Sequence, residues 1–173
     1  VPDRQVRVRV DQGDAVRTVR VNRSLLVTGV TLNTPFADTV DRGMRIDAVN
    51  GTAIHTERAF VDAVENRTVA AVSVADGGTV TGPIGAAVRI APDGPAAAAG
   101  LPGGTNAVIT RIDGRRVISS SALSRVMATT EPDQTVRIEL FEDGERRVAA
   151  VEIGPHPDAA VDHGIIGVGV APG

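Results

Sequence analysis

The sequence predicts a mainly β protein with short helices, an α+β chain in which one small, partly open β-sandwich or barrel unit occurs twice in tandem. An internal repeat, turn-centred runs of alternating residues and two capped helices carry that expectation. Residues 44–64, MRIDAVNGTAIHTERAFVDAV, align with residues 107–127, AVITRIDGRRVISSSALSRVM, when Asn50-Gly51 is placed on Asp113-Gly114. Ile46 then meets Ile109, Val49 meets Ile112, Ile54 meets Val117, Phe60 meets Leu123 and Val64 meets Met127. A repeat that keeps turn, strand and helix positions together implies one domain built twice. Its period of about 60 residues exceeds the roughly 20–50 of a solenoid unit.

The elements follow in order. Residues 5–10 and 15–21 alternate apolar and polar across Asp11-Gln12-Gly13-Asp14, a hairpin pattern. The design returns at 69–81 around Asp76-Gly77-Gly78, and at 136–153 around Glu142-Asp143-Gly144. Asp-Gly favours the positive-φ geometry of tight hairpin turns. A second recurring piece is a short apolar strand: RSLLVTGVTL (23–32), PIGAAVRIAP (83–92) and GIIGVGVAPG (164–173). Pro-led, Ala-containing stretches follow the first two, at 35–40 and 95–101, and read as helices of one or two turns. A longer helix is expected after Thr56, a suitable N-cap, with Phe60, Ala63 and Val64 on one face. Its copy is capped by Ser119, Ser120 or Ser121, presents Leu123, Val126 and Met127, and is stopped by Glu131-Pro132-Asp133. The units are placed at 1–81 and 82–154, with 155–173 a linker and terminal strand.

Composition excludes several function classes. Hydrophobic residues make up 42% of the 173, enough for a globular core, but aromatics are 2% and Trp and Tyr are absent. Val, Ile, Leu and Ala must therefore build that core. A net charge of −3 without a basic run argues against nucleic-acid binding. Cysteine is absent, so disulfides and thiolate chemistry are not available. No apolar run reaches the roughly 18–20 residues of a membrane span. The sequence opens on Val1 with no signal-like region, so an excised piece of a longer protein is expected. The three histidines, His55, His156 and His163, do not form a His-Glu-x-x-His motif. His156, Asp158, Asp162 and His163 have poor metal-ligand spacing and read as a solvated loop. Ser119-Ser120-Ser121 lacks a Gly-x-Ser-x-Gly setting and reads as a helix cap. Asn22-Arg23-Ser24, Asn50-Gly51-Thr52 and Asn66-Arg67-Thr68 match the glycan-acceptor pattern, which is common by chance.

The phrases PIGA, PDGPAAAAGL and VITRIDGRRV, followed by SSSALSRVM and TVRIELFEDGERRVAAVEI, resemble a PDZ domain of the bacterial and archaeal protease type. The second unit resembles it over nearly its whole length, the first from Thr34 to Val74. GIIGVGV after the last hairpin is similar to the segment by which site-2 proteases, membrane-embedded zinc metalloproteases, leave their tandem PDZ region. This resemblance implies a non-catalytic region that binds or gates substrate polypeptides beside the active site. It implies a groove formed by Ile84, Gly85, Ala86, Val88 and Ile90, with a helix wall of Ala122, Leu123 and Val126. The implied partners are a polypeptide substrate or C-terminal peptide and the catalytic membrane domain of the parent chain, with no nucleic acid. Zinc would belong to the parent and no cofactor to this region, which would be soluble, extracytoplasmic and membrane-associated through its parent. The first unit departs from the pattern, since Arg23-Ser24-Leu25-Leu26 has no Gly at the loop. The alternatives are the tandem PDZ domains of a trypsin-like quality-control serine protease, or a non-enzymatic peptide-binding scaffold.

Overall fold

The computed structural model describes residues 36, 39–40, 43–75, 78–157 and 164–170. The expected hairpin at 5–21, the strand at 23–32 and most of the helix at 35–40 lie outside these residues. So do Asp76-Gly77 and residues 158–163 of the linker. Among the described residues the protein is mostly β, with two antiparallel sheets and short helices, as the alternating pattern predicts.

The first sheet holds β1 (Ile46–Val49), β2 (Thr52–Ala53), β3 (Val69–Val74) and β4 (Gly78–Pro83), in the order β2-β1-β3-β4. Helix α1 (Glu57–Val64) packs against it. The second sheet holds β5 (Ala86–Ile90), β6 (Asn106–Ile112), β8 (Thr135–Glu142), β9 (Glu145–Glu152) and β10 (Val168–Val170), in the order β10-β5-β6-β8-β9. A short β7 (Arg115–Arg116) pairs with β6. Helices α2 (Pro95–Ala98) and α3 (Ser120–Met127) complete this part.

The repeat is structural as well as textual. Asn50 and Gly51 take φ values of 50° and 79°, Asp113 and Gly114 of 47° and 76°. Both turns are then tied to the next long strand in the same way. Asn50 Oδ1 accepts from Ala71 N at 2.9 Å, and Asp113 Oδ1 accepts from Arg137 N at 2.7 Å. The backbone bonds Ile54 N to Asp47 O and Val117 N to Thr110 O, each 2.9 Å, also correspond across the repeat. Asn and Asp suit both tasks, because they tolerate positive φ and carry a short acceptor.

The helix starts follow local chemistry. Thr56 accepts from Ala59 N at 3.1 Å, and Ser119 from Ala122 N at 3.2 Å, so each caps its helix. The end of α3 differs from expectation. The helix stops at Met127, ahead of Glu131-Pro132-Asp133, and the hydroxyls of Thr129 and Thr130 donate to the Val126 and Met127 carbonyls at 2.7 Å each. Those carbonyls lack the partners four residues on that a continuing helix would supply, and each accepts both the backbone N–H, at 3.0 Å, and the hydroxyl of the threonine three residues on.

Two apolar clusters sit under the two sheets. Val49, Ile54, Val64, Ala70, Val72 and Val74 centre the first. Ile90, Ile109, Ile112, Ile138, Leu140 and Ile153 centre the second, each no more than 1% exposed. Aliphatic side chains thus build both cores, and Ile166 from the tail joins the second.

Candidate functional site

The tail determines the site. Gly164 and Ile165 approach residue 154, where Gly154 and Ile165 exchange both backbone bonds at 2.9 and 2.8 Å. The Ile166 carbonyl then accepts from Ala96 N in α2, and the Gly167 carbonyl from Ala91 N, each at 2.9 Å. Gly167 lies at φ +72°, and a Cβ there would come within 2.6 Å of Pro95 Cδ and 2.7 Å of Gly94 Cα. Only glycine allows that approach. Fixed in this way, β10 pairs antiparallel with β5, with Val168 opposite Ile90, Gly169 opposite Arg89 and Val170 opposite Val88.

The direction of the β10 amides follows from ladder alternation. Ile90 spends its N–H on Thr105 O and accepts from Gly104 N, both away from β10. Val168 therefore faces Ile90 in a non-hydrogen-bonded pair, and the bonds between β5 and β10 run through Arg89 and Gly169. The N–H and C=O of Val168 and Val170 point to the outer side. Among the described residues no strand pairs with that side of β10.

Helix α3 stands along this edge. Ser120, Leu123, Ser124 and Met127 fall at i, i+3, i+4 and i+7, one helical face, and line a cleft together with Ile165 and Val168. Its volume is about 180 Å³. That is smaller than the roughly 300–1,000 Å³ of small-molecule sites and is the size of a side chain or two. No charged residue lines it. At its end, no partner among the described residues takes the Ile166 N–H, while the neighbouring carbonyls are bonded away toward α2 and β5. An extended chain laid here would meet backbone donors and acceptors on one wall, and an apolar, hydroxyl-bearing face on the other.

The residues read from sequence are distributed unevenly about this cleft. Val88 and Leu123 line it. Ala86 and Ile90 are buried in the core on β5, which is not an edge strand: β6 takes one side and β10 covers Val88–Ile90 on the other. The open edge expected at Ala86–Ile90 thus moves one strand outward, to β10. Ile84 donates its N–H to Thr68 O at 2.9 Å, and its side chain packs on the first core. Gly85 lies flat on β6, where a Cβ would meet Ile109 O at 2.1 Å, so its role is close backbone passage. Ala122 and Val126 pack against the second core. Sequence reading named Ser120 only as a possible cap and Met127 only as part of the apolar face, did not single out Ser124, and did not place the tail beside them. The third copy of the strand phrase, GIIGVGV, was the signal for the tail, and the four-residue helical spacing was the signal for the wall.

Residues 69–153 match the family model described as "PDZ domain". A PDZ domain is found in this chain. The match ends before β10. Over 68 residues the chain is 41% identical to a "Probable periplasmic serine endoprotease DegP-like" of Halomonas elongata. The alignment covers 39% of this chain and 14% of that protein's length. The likeness is to a serine endoprotease. It accords with the serine-protease alternative read from sequence, and neither comparison points to the site-2 context. Among the described residues no three His, Cys, Asp or Glu side chains gather as a metal site. No helix among them is long and apolar enough to cross a membrane.

Proposed function

We propose that the second unit, from residue 82, together with the tail through residue 170, is a peptide-binding module of a protease of the DegP-like serine type. It takes an extended polypeptide, or the C-terminal segment of one, as an additional strand on β10. The observation that carries this reading is the outward amide set of Val168 and Val170 beside the Ser120–Met127 face of α3. Strand addition supplies sequence-independent main-chain bonds, and the cleft then selects side chains. The proposed division keeps units at 1–81 and 82–154. The segment 155–173 acts with the second unit, since β10 lies in it. The module itself has no catalytic role, and it works outside the cytoplasm, as the relative's periplasmic description suggests.

A titration followed by amide NMR tests this. Peptides with aliphatic C-termini and free carboxylates are expected to shift Ser120, Leu123, Ile166 and Val168, and C-terminal amides to shift them less. Unmoved resonances at saturating peptide would refute strand addition. A second reading keeps the site-2 resemblance, in which GIIGVGV is the segment that leaves the PDZ region toward the membrane. In that reading zinc and the catalytic membrane domain belong to the parent chain. Flanking sequence separates the two, through hydrophobic spans with a zinc motif or an upstream Gly-x-Ser-Gly-Gly.

A further inference from the structure

Arg116 is the residue whose contacts the groove does not explain. It lies on β7, three residues ahead of Ser119, the N-cap of the groove helix α3. Its guanidinium has five N–H donors. Five backbone carbonyls accept from it: Val64 O from Nε at 3.3 Å, Thr110 O and Val117 O from Nη1 (the first at 2.9 Å), and Arg67 O and Ile84 O from Nη2 at 2.9 and 2.6 Å. None of these acceptors is a carboxylate.

The acceptors come from three places. Val64 ends α1 on the first sheet and Arg67 lies three residues beyond it, Ile84 joins β4 to β5, and Thr110 and Val117 flank the β6–β7 turn. Helix C-termini carry unpaired carbonyls and a partial negative charge. Helix α1 has no basic residue in its own last turn, so Arg116 supplies that cation from the second unit. By the repeat, α1 is the counterpart of α3, and the position matching Arg116 is Ala53, an exposed alanine. The contact therefore runs one way, from the second unit to the first. Ile84 and Ile118 add apolar packing on the first core at the same junction. Burial, followed by the nearby charge of Arg111, lowers the guanidinium pKa to about 10, so it remains charged at neutral pH.

We propose that Arg116 is a positioning residue that locks the two units into one rigid body and holds α3 at its working distance from β10. Unit one then tunes a cleft it does not touch. Lysine, a single point charge, cannot serve five carbonyls spread around a plane.

The test uses the full chain with Arg116→Lys and Arg116→Ala, the lysine variant guarding against simple loss of the fold. In the wild type, residual dipolar couplings from both units are expected to fit one alignment tensor. In the variants the units are expected to need separate tensors, while the amide spectrum within each sheet is kept. A shared tensor in both variants, even with a lowered melting temperature, would overturn the proposal. The affinity arm rests on the peptide-binding reading above. An aliphatic C-terminal peptide is expected to bind roughly 2–30-fold more weakly to Arg116→Lys, the range of coupling seen for residues remote from a ligand. Unchanged affinity would overturn the tuning role. If the wild type binds no peptide, the binding reading fails, and the tensors still decide whether Arg116 locks the units.

Discussion

At Gly85 a single methyl group is enough to disturb the second sheet. Its Cβ would sit 2.1 Å from Ile109 O and 2.9 Å from Val108 Cγ1, and a backbone carbonyl in the middle of β6 has no room to yield. Gly85→Ala is expected to destabilise the protein by about 1–3 kcal/mol or more, read from urea unfolding. Gly169→Ala, where a Cβ meets nothing within 4 Å, should stay within about 0.5 kcal/mol and serves as the control. Asp113 holds a positive φ and a 2.7 Å bond to the Arg137 amide. Asp113→Ala is expected to cost about 1–2 kcal/mol, and Asp113→Asn much less, because asparagine keeps the acceptor and tolerates φ > 0. Glu139 sets a small acid dependence. A hydrogen bond from Arg146 at 2.7 Å, with Arg111 and Arg137 adding charge, holds its carboxyl below the usual 4.5 despite some opposing burial. Its folded pKa lies below the unfolded value, so its contribution is present above pH 4.5 and is lost as pH falls through the folded value. Glu139→Gln should remove that part of the acid limb in stability measured from pH 7 down to pH 2. The effect is no more than about 1 kcal/mol, since Arg146 is largely in solvent.

Among the elements, β10 carries the proposed recognition edge, and its place in the sheet was the least legible. Gly167→Ala combines a strained φ with a clash against Gly94 and Pro95, so it should free the tail from α2. The expected result is loss of peptide-induced shifts at Leu123 with the β8–β9 ladder intact, observed in the same NMR titration. The sequence announced what is local. Asn-Gly and Asp-Gly marked their turns, Thr56 and the serine run marked the caps, and the strand expected within PIGAAVRIAP formed at Ala86–Ile90. It did not announce which apolar strand would be outermost. PIGAAVRI and GIIGVGV are both short, apolar and glycine-containing, and strand partners are chosen by contacts remote in sequence. Ser120 and Ser124 were not assigned to the cleft for a related reason. A hydroxyl on a helix reads as solvent-facing unless the strand across from it is known.

For the whole molecule, the second core is not complete without the tail. Ile166 is 2% exposed, and the tail strand covers one side of β5. Ending the chain at residue 157 is expected to cost about 2–5 kcal/mol, from the lost burial of Ile166 and the lost pairing of β5. Denaturant unfolding would give the magnitude. Light scattering should also rise with concentration, because a bare, apolar β5 edge is a template for another chain. The repeat was legible at this scale, since both units keep the same turn-to-strand bond. Their junction was not, because Arg116 occupies a position whose counterpart, Ala53, gives no hint of it. The placement of β10 also fixes an order of events during biosynthesis. Every other wall of the cleft emerges from the ribosome before residues 164–170 do. A nascent chain therefore holds its second sheet with β5 bare on one side and its core short of Ile166, and the cleft closes only once residues 164–170 are free to pair.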